Sequence, residues 1–169
     1  METPTDAESV HSCLREYDMI HGLDGTEKVR GLLAALPVLR QYAGRTVEVR
    51  CEAVAKSDLL QDVSALRAVG VSVRVQEGGP REPSEGLDHL VLLVPNRGGR
   101  TAPDRMDIQR AEELLDAGRL SEPLAQALRR CVNALRAGAK EAAVLDSGTE
   151  HALLLYFLEQ QTPGMAITK

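Results

Sequence analysis

The stretch Val132–Lys169, VNALRAGAKEAAVLDSGTEHALLLYFLEQQTPGMAITK, decides the fold. A helix that ends at Gly138 leads into a short apolar strand, Ala142–Leu145. The strand turns through Asp146-Ser147-Gly148 into a second helix, whose first turn holds His151. Sheets built from such strand-turn-helix units usually carry ligands at the strand ends, and the unpaired N–H groups of a helix start can hold an anion. The alternative interpretation is a plain α/β connection without a site.

Composition and charge favour a protein of one domain that binds neither nucleic acid nor a membrane. The chain has 169 residues and a net charge of −5, with acidic and basic residues interspersed. We see no basic stripe and no aromatic platform, so nucleic acid is not an expected partner. No apolar run approaches the length of a membrane span, and the N-terminus METPTDAESV lacks the basic and apolar regions of a secretory signal. We therefore expect a cytoplasmic protein without a membrane partner.

Cysteine and histidine spacing favours neither a metal nor a disulfide framework. The three cysteines, Cys13, Cys51 and Cys131, lie far apart without a CxxC pair, and their number is odd. The four histidines also lack metal-ligand spacing. We expect reduced thiols, no metal and no cofactor.

The N-terminal half opens with two predicted helices. Thr5-Asp6-Ala7-Glu8 is a capping-box pattern, and apolar residues follow at helical spacing up to Ile20, which predicts an amphipathic helix over residues 5–21. A second helix is predicted from Asp24-Gly25-Thr26-Glu27 to the residue before Pro37. Further helices are predicted over residues 57–69 and 106–117 and from Ser121 onward.

Four segments have the patterns of strands. Residues 45–50 and 71–76 alternate, whereas residues 90–94 and 142–145 are apolar throughout. The alternation puts four polar side chains on a single face: Glu48, Arg50, Arg74 and Gln76. Strands covered on both faces usually read as continuous apolar runs, so part of one sheet face is predicted to be uncovered or covered by something polar.

The C-terminal stretch resembles the N-acetylglutamate kinases of the amino-acid kinase superfamily. Those proteins run through an "ALxGG" helix end, a strand, a "DG" turn, a "HALL" helix and a closing glycine before a last strand. The matching segments here are Ala134-Leu135-Arg136-Ala137-Gly138, Ala143-Val144-Leu145-Asp146, His151-Ala152-Leu153-Leu154 and Gly164. From Val29 onward, VRGLLAALPVLRQYAGRTVEVR also resembles the family's first helix and strand, "LxEALPYIxxFxGKTxVIK".

The resemblance implies an α/β fold of three layers, α/β/α, with a mostly parallel sheet of about five strands, that is, a trimmed amino-acid kinase fold. By this comparison the first predicted helix is an addition. Some arginine-sensitive kinases carry an N-terminal helix that interlaces with its counterpart in another dimer. We expect residues 1–22 to form an N-terminal helix, either an oligomerisation arm or a helix packed on its own domain, and residues 23–169 to form the kinase-like domain.

The resemblance also identifies two phosphate loops, both of which are degenerate here. The family's "KxGG" becomes Arg50-Cys51-Glu52-Ala53, and its "HGGGP" becomes Gln76-Glu77-Gly78-Gly79-Pro80. Backbone can approach a phosphate closely only where side chains are absent, and a carboxylate repels a polyphosphate. The degenerate phosphate-loop positions are Arg50, Glu52, Glu77, Gly78 and Gly79.

The other catalytic elements of the family are missing as well. After Pro80 only residues 81–87 precede the next strand, so roughly a hundred family residues are absent, including a "NxNAD" aspartate. The family's "GGMxPK" becomes Glu122-Pro123-Leu124-Ala125-Gln126-Ala127, with alanine in place of the lysine. No catalytic residue is therefore expected.

We predict that a small anionic or amino-acid ligand, if one binds, lies at the start of the last helix. The predicted binding residues are Asp146, Gly148, Thr149, His151, Gln161 and Gly164. Gly148 and Thr149 would offer backbone N–H groups, and His151 a donor that can be switched by pH. Gln161 and Gly164 enter through the resemblance, because the matching loop lines the inhibitor site of arginine-sensitive kinases. Gln161 replaces an acid of that family, which weakens arginine as the ligand.

The expected function is that of a catalytically inactive N-acetylglutamate kinase-like protein that acts by binding, as a sensing or assembly module. Its expected partners are a second copy in a homo-oligomer, another protein, or a small amino-acid-like ligand. Two alternatives stay open. One is a small kinase that phosphorylates N-acetylglutamate or a related acyl amino acid in arginine biosynthesis through residues that the family does not use. The other is a purely structural protein.

Overall fold

Five helices and six strands make up the part of the chain that the structure describes. The computed structural model describes residues 25–52, 56–78, 84–95, 105–158 and 164–169. The elements are α1 (Gly25–Arg40), β1 (Thr46–Cys51), α2 (Ser57–Ala68), β2 (Ser72–Glu77), β3 (His89–Val94), β4 (Arg105–Asp107), α3 (Ile108–Asp116), α4 (Glu122–Arg136), β5 (Glu141–Asp146), α5 (Ala152–Leu158) and β6 (Gly164–Thr168). The helix predicted over residues 5–21 lies outside the described residues.

The six strands form one mostly parallel sheet in the order β2-β1-β3-β5-β6-β4. Strands β2, β1, β3 and β5 are mutually parallel, β6 runs antiparallel to β5, and β4 is parallel to β6. The C-terminal ends of the four parallel strands therefore share one edge, here called the carboxyl edge. Their N-terminal ends share the opposite edge, here called the amino edge.

Helices cover both faces of the sheet, which accounts for the apolar runs of β3 and β5. On one face, Leu59, Val63 and Leu66 of α2 pack with Leu153 and Phe157 of α5 on side chains of the strands. On the other face, α4 supplies a continuous buried stripe with apolar residues at helical spacing: Ala127, Leu128, Cys131, Val132, Ala134 and Leu135. The expected three-layer α/β/α fold with a mostly parallel sheet is confirmed, with six strands in place of about five.

The polar face predicted for β1 is buried. Glu48 is fully buried, Arg50 is 8% exposed, and the Arg50 Nε–H donates to Glu48 Oε1 at 2.7 Å. The backbone N–H of Ser84 donates to Glu48 Oε2 at 3.3 Å. Arg74, on the edge strand β2, is exposed. The alternation of β1 thus arises from an internal ion pair and not from an uncovered face.

Three element boundaries differ from the sequence prediction for local reasons. Residues 105–107 form the short strand β4, and Asp107 then caps α3 by accepting the N–H of Arg110 at 2.8 Å. Pro37 lies inside α1, which continues to Arg40. His151 precedes α5 and has a φ of 53°, in the left-handed region that non-glycine residues rarely adopt.

The chain divides into two compact units, residues 1–37 and 38–169. The first unit includes the N-terminal part of α1, whose Val29, Leu32 and Leu33 are exposed. The division predicted after residue 22 remains a prediction. Within the described ranges, no helix combines the length and the apolar character that crossing a membrane requires.

Candidate functional site

The backbone N–H groups of the turn between β5 and α5 have hydrogen-bond partners within the protein. The Gly148 N–H donates to Asp146 Oδ1 at 2.9 Å, and the Thr149 N–H donates to the Asp146 carbonyl at 3.1 Å. The Ser147 N–H donates to the carbonyl of Val94 at 3.0 Å and so fixes the turn to the end of β3. The N–H groups that the sequence offers for a ligand therefore already have partners within the protein.

Two carboxylates of α2 bind the start of α5. The His151 N–H donates to Asp58 Oδ2 and the Leu154 N–H to Asp62 Oδ2, each at 3.2 Å. The second oxygen of Asp62 lies 2.6 Å from His151 Nδ1, and Asp62 is fully buried. Acidic groups at a helix start accept hydrogen bonds from the unpaired N–H groups and interact favourably with the positive end of the helix dipole. Asp58 and Asp62 therefore dock α5 onto α2.

The His151–Asp62 contact shifts the titration of both groups. The hydrogen bond to Asp62 raises the pKa of His151, and the nearby carboxylates of Glu150 and Asp58 add to this effect. Burial raises the pKa of Asp62, while the hydrogen bonds from His151 and Leu154 oppose that rise. Because Asp62 accepts two hydrogen bonds, we place the shared proton on the imidazole.

A cavity of about 230 Å³ opens at the carboxyl edge between α2 and α5, and we call it the α2–α5 cavity. Its apolar wall consists of Leu59, Leu93, Pro95, Ala152 and Leu153, and its polar lining of Cys51, Glu52, Lys56, Asp58, Asp62, Ser147 and Thr149. The ammonium of Lys56 donates to the carbonyl of Ser147 at 3.0 Å and links the start of α2 to the β5–α5 turn. The lining therefore carries three carboxylates and one ammonium around an apolar wall.

A second cavity, of about 270 Å³, lies at the same edge beside α4, and we call it the α4 cavity. Three of the degenerate phosphate-loop positions, Arg50, Glu52 and Gly78, line it together with Ala127, which replaces the family's lysine. The structure thus brings together positions that are far apart in the chain. Arg130, half-buried on α4, also lines this cavity. Gly79 lies outside the described residues, and Glu77 is exposed at the end of β2.

Cys51 and Glu52 line both cavities, because they stand where β1 ends between them. Burial raises the pKa of the Cys51 thiol, and the nearby Glu77 raises it further. A thiol with a raised pKa is protonated near neutral pH and is a poor nucleophile. Glu52 therefore gives the wall shared by the cavities its negative charge.

Gly164 has a packing role that explains why a glycine stands there. It opens β6 opposite Leu145, and a Cβ atom at this position would lie 2.0 Å from the carbonyl oxygen of Val144. No side chain fits at that distance from the backbone of β5. Gln161 lies outside the described residues. Of the predicted ligand-binding residues, Thr149 lines the α2–α5 cavity. His151 contacts two residues of the lining, Asp58 and Asp62.

Three residues of the α2–α5 cavity were not predicted from the sequence: Lys56, Asp58 and Asp62. The available signal was weak: two acids one helical turn apart on α2, on either side of the apolar Leu59. Such a pair usually lies on a solvent-exposed face of a helix. Its role depends on contact with His151, about 90 positions later in the chain.

Solved structures of other proteins share this fold. Two solved structures of N-acetylglutamate synthase from Neisseria gonorrhoeae, one with coenzyme A and L-arginine and one with coenzyme A and N-acetyl-glutamate, superpose with TM-scores of 0.66 and 0.67. Each match covers 83% of this chain, and 65% and 63% of those chains, at 12% sequence identity. At this identity the likeness shows the fold alone, and the fold is shared with these synthases.

Sequence similarity points more narrowly to the acetylglutamate kinases, although no family model matches the chain. The acetylglutamate kinase of Nocardioides sp. is 36% identical over 91 residues, which are 49% of this chain and 29% of that protein. That of Gloeobacter violaceus is 28% identical over 110 residues, 62% of this chain and 36% of that protein. The chain is a relative of these kinases, as the resemblance predicted, and it spans between 22% and 36% of the length of the curated relatives that it matches.

Proposed function

We propose that this relative of the acetylglutamate kinases transfers no phosphate and acts by binding a small amino-acid-like ligand in the α2–α5 cavity, as a sensing or assembly module. The observation that carries the proposal is the position of Glu52, which lines both the α2–α5 cavity and the α4 cavity. It adds negative charge at the end of β1, where the related kinases have glycine.

The α4 cavity is poorly suited to hold a polyphosphate. Phosphoryl transfer depends on cations and N–H groups that stabilise charge in the transition state. Arg50 is paired with the buried carboxylate of Glu48, so most of its charge is already matched. Glu52 repels a phosphate, and Ala127 stands where the kinases have a lysine. These features support a loss of kinase chemistry.

The α2–α5 cavity has the features of a small-molecule site, with an apolar wall and a few polar groups that converge. Lys56 can pair with a carboxylate, and Asp58 and Glu52 can pair with an ammonium group. An amino acid carries both groups on one carbon atom, and its side chain can lie against Leu59 and Leu153. A zwitterion also suits a lining of mixed charge better than a simple anion, because the carboxylates outnumber the ammonium.

A thermal-shift screen of amino acids and acyl amino acids tests the proposal. A ligand that prefers the folded state raises the unfolding midpoint. We expect a hit with the wild-type chain and a smaller shift with Asp58→Asn, which removes one carboxylate from the cavity. Asp116→Asn is the matched control, since Asp116 is exposed at the end of α3. An equal shift in both variants, or no hit in the panel, contradicts binding in this cavity.

One observation favours a second candidate function, a small kinase of an acyl amino acid. Arg130 follows Ala127 by about one turn of α4, and both line the α4 cavity. A guanidinium there can take over part of the charge that the missing lysine supplied. This candidate predicts phosphate transfer that depends on Arg130, whereas the main proposal predicts none.

A further inference from the structure

The aromatic residues that the structure describes gather at the amino edge, opposite the carboxyl-edge cavities. Three of its four aromatic side chains, Tyr42, Tyr156 and Phe157, form a chain of edge-to-face contacts. The imidazole of His89, the first residue of β3, joins them, with ring centroids 5.8 Å from Tyr42 and 5.7 Å from Phe157. Neither the kinase-like elements nor the proposed function explains a histidine within this cluster.

A cavity of about 220 Å³ lies beside the cluster, lined by Gln41, Tyr42, Arg45, His89, Lys140 and Glu141. We call it the amino-edge cavity. His89 is only 7% exposed, and its buried Nδ1 atom has no hydrogen-bond partner among the residues that the structure describes. A buried polar atom without a partner costs stability, and such atoms are rare in folded proteins. Because burial lowers the pKa of His89, the ring is neutral near pH 7, and Nδ1 can either donate or accept.

The charges around this cavity are unequal. The Arg45 guanidinium and the Lys140 ammonium lie 3.5 Å and 2.8 Å from the same oxygen, Asp88 Oδ1. The other oxygen of Asp88 accepts the N–H of Thr46 at 2.9 Å. One carboxylate thus faces two cations. Glu141, which also lines the cavity, accepts the Tyr156 hydroxyl at 2.5 Å and lies 3.9 Å from the Arg105 guanidinium.

We propose that the amino-edge cavity is a second ligand site, which binds a small oxyanion, a carboxylate or a phosphate group, through Arg45 and Lys140 at its rim and His89 at its buried end. Two cations and one carboxylate line the cavity, which favours an anion, and an oxygen that reaches His89 gives its unpaired nitrogen a partner. Parallel sheets usually carry their ligands at the carboxyl edge. The inference therefore rests on the buried nitrogen and the charge imbalance, and it is independent of the proposed function.

Titration of the full chain with sodium acetate and, separately, with sodium phosphate at constant ionic strength tests this site. We would follow the side-chain ¹⁵N signals of His89 by NMR, assigned by their loss in His89→Phe, together with the unfolding midpoint. We expect at least one anion to shift the His89 signals to saturation. Saturation by acetate alone identifies a carboxylate site, by phosphate alone a phosphate site, and by both a general oxyanion site.

The rim variants keep the test decisive if His89→Phe does not fold. The double variant Arg45→Gln/Lys140→Gln should bind the same anion at least about tenfold more weakly, since each cation lost removes a charge-assisted hydrogen bond. Arg74→Gln, which changes an exposed arginine outside the cavity, should bind like wild type. The proposal is overturned if neither anion saturates the His89 signals, if the double variant keeps wild-type affinity, or if methylammonium chloride saturates them equally well.

Discussion

His151 Nδ1 and Asp62 Oδ1 lie 2.6 Å apart and join α5 to α2 beside the α2–α5 cavity. Asp62 is fully buried, and its other oxygen accepts the N–H of Leu154. The same carboxylate thus positions the side chain that precedes α5 and caps the helix itself. The wall of the cavity formed by α5 depends on this contact.

Replacing Asp62 with alanine should therefore destabilise the chain. The change leaves His151 and the Leu154 N–H without their acceptor, and we expect a loss of about 2–3 kcal/mol in the free energy of unfolding. Urea denaturation measures the loss. Asp116→Ala, at an exposed site on α3, should stay within about 0.5 kcal/mol of wild type. A loss for Asp62→Ala no larger than that of this control would show that the pair does not hold α5.

The His151–Asp62 pair should also make stability depend on pH. The folded-state pKa of His151 is raised above its ordinary value of 6.5, so His151 binds its proton more tightly in the folded state than in the unfolded state. While Asp62 is ionised, the contribution of the protonated imidazole to stability is complete below about pH 6.5 and is lost as the pH rises through the raised pKa of His151. We expect the difference in unfolding free energy between wild type and His151→Asn to shrink over this range. Asparagine is suitable because it tolerates the positive φ of position 151. A constant or growing difference would contradict this assignment.

The buried ion pair of β1 gives a third prediction. Arg50→Met leaves the carboxylate of Glu48 buried with the Ser84 N–H as its remaining donor among the contacts described above. We expect a loss of about 3 kcal/mol in urea denaturation. The double variant Glu48→Gln/Arg50→Met should lose less than the single variant, because no unpaired charge then stays in the interior. A double variant that is less stable than Arg50→Met would show that the carboxylate itself is favourable there.

Two glycines should respond to alanine in opposite directions. Gly164→Ala places a Cβ atom against the Val144 carbonyl, so β6 must move away from β5, and we expect a loss of at least about 2 kcal/mol. Gly31→Ala, inside α1 with open space around it, should gain up to about 1 kcal/mol from helix propensity. Thermal unfolding of both variants checks the contrast. Equal effects would mean that β5 and β6 are not packed as closely as described.

Most of the sheet could be predicted because its signals are local. The continuous apolar runs of β3 and β5 and the alternation of β1 and β2 fall within each strand, and the structure has strands there. Strand β4 was missed because three residues are too few to show a period. The alternation of β1 predicted a sheet face that is uncovered or covered by something polar, since a sequence shows which side chains are polar but not that Glu48 and Arg50 pair inside the protein.

The candidate site was predictable only in part. Ser147 and Thr149 of the predicted turn line the α2–α5 cavity, and the binding of a ligand there stays a prediction. Its chemistry depends on α2, because the carboxylates of Asp58 and Asp62 are positioned by tertiary contacts and not by a motif. The amino-edge cavity could not be predicted from the sequence, because its lining comes from separate parts of the chain: the loop after α1 and the starts of β3 and β5.

A coupled ADP-release assay with ATP and N-acetylglutamate, extended to other acyl amino acids, measures directly whether this chain transfers phosphate. The carboxylate of Glu52 and the alanine at position 127 should leave the charge of a transferred phosphate without stabilisation. We therefore predict no turnover above background, and no change in Arg130→Ala. Turnover above background that disappears in Arg130→Ala would overturn the loss of kinase activity and identify the chain as a kinase that works through this arginine.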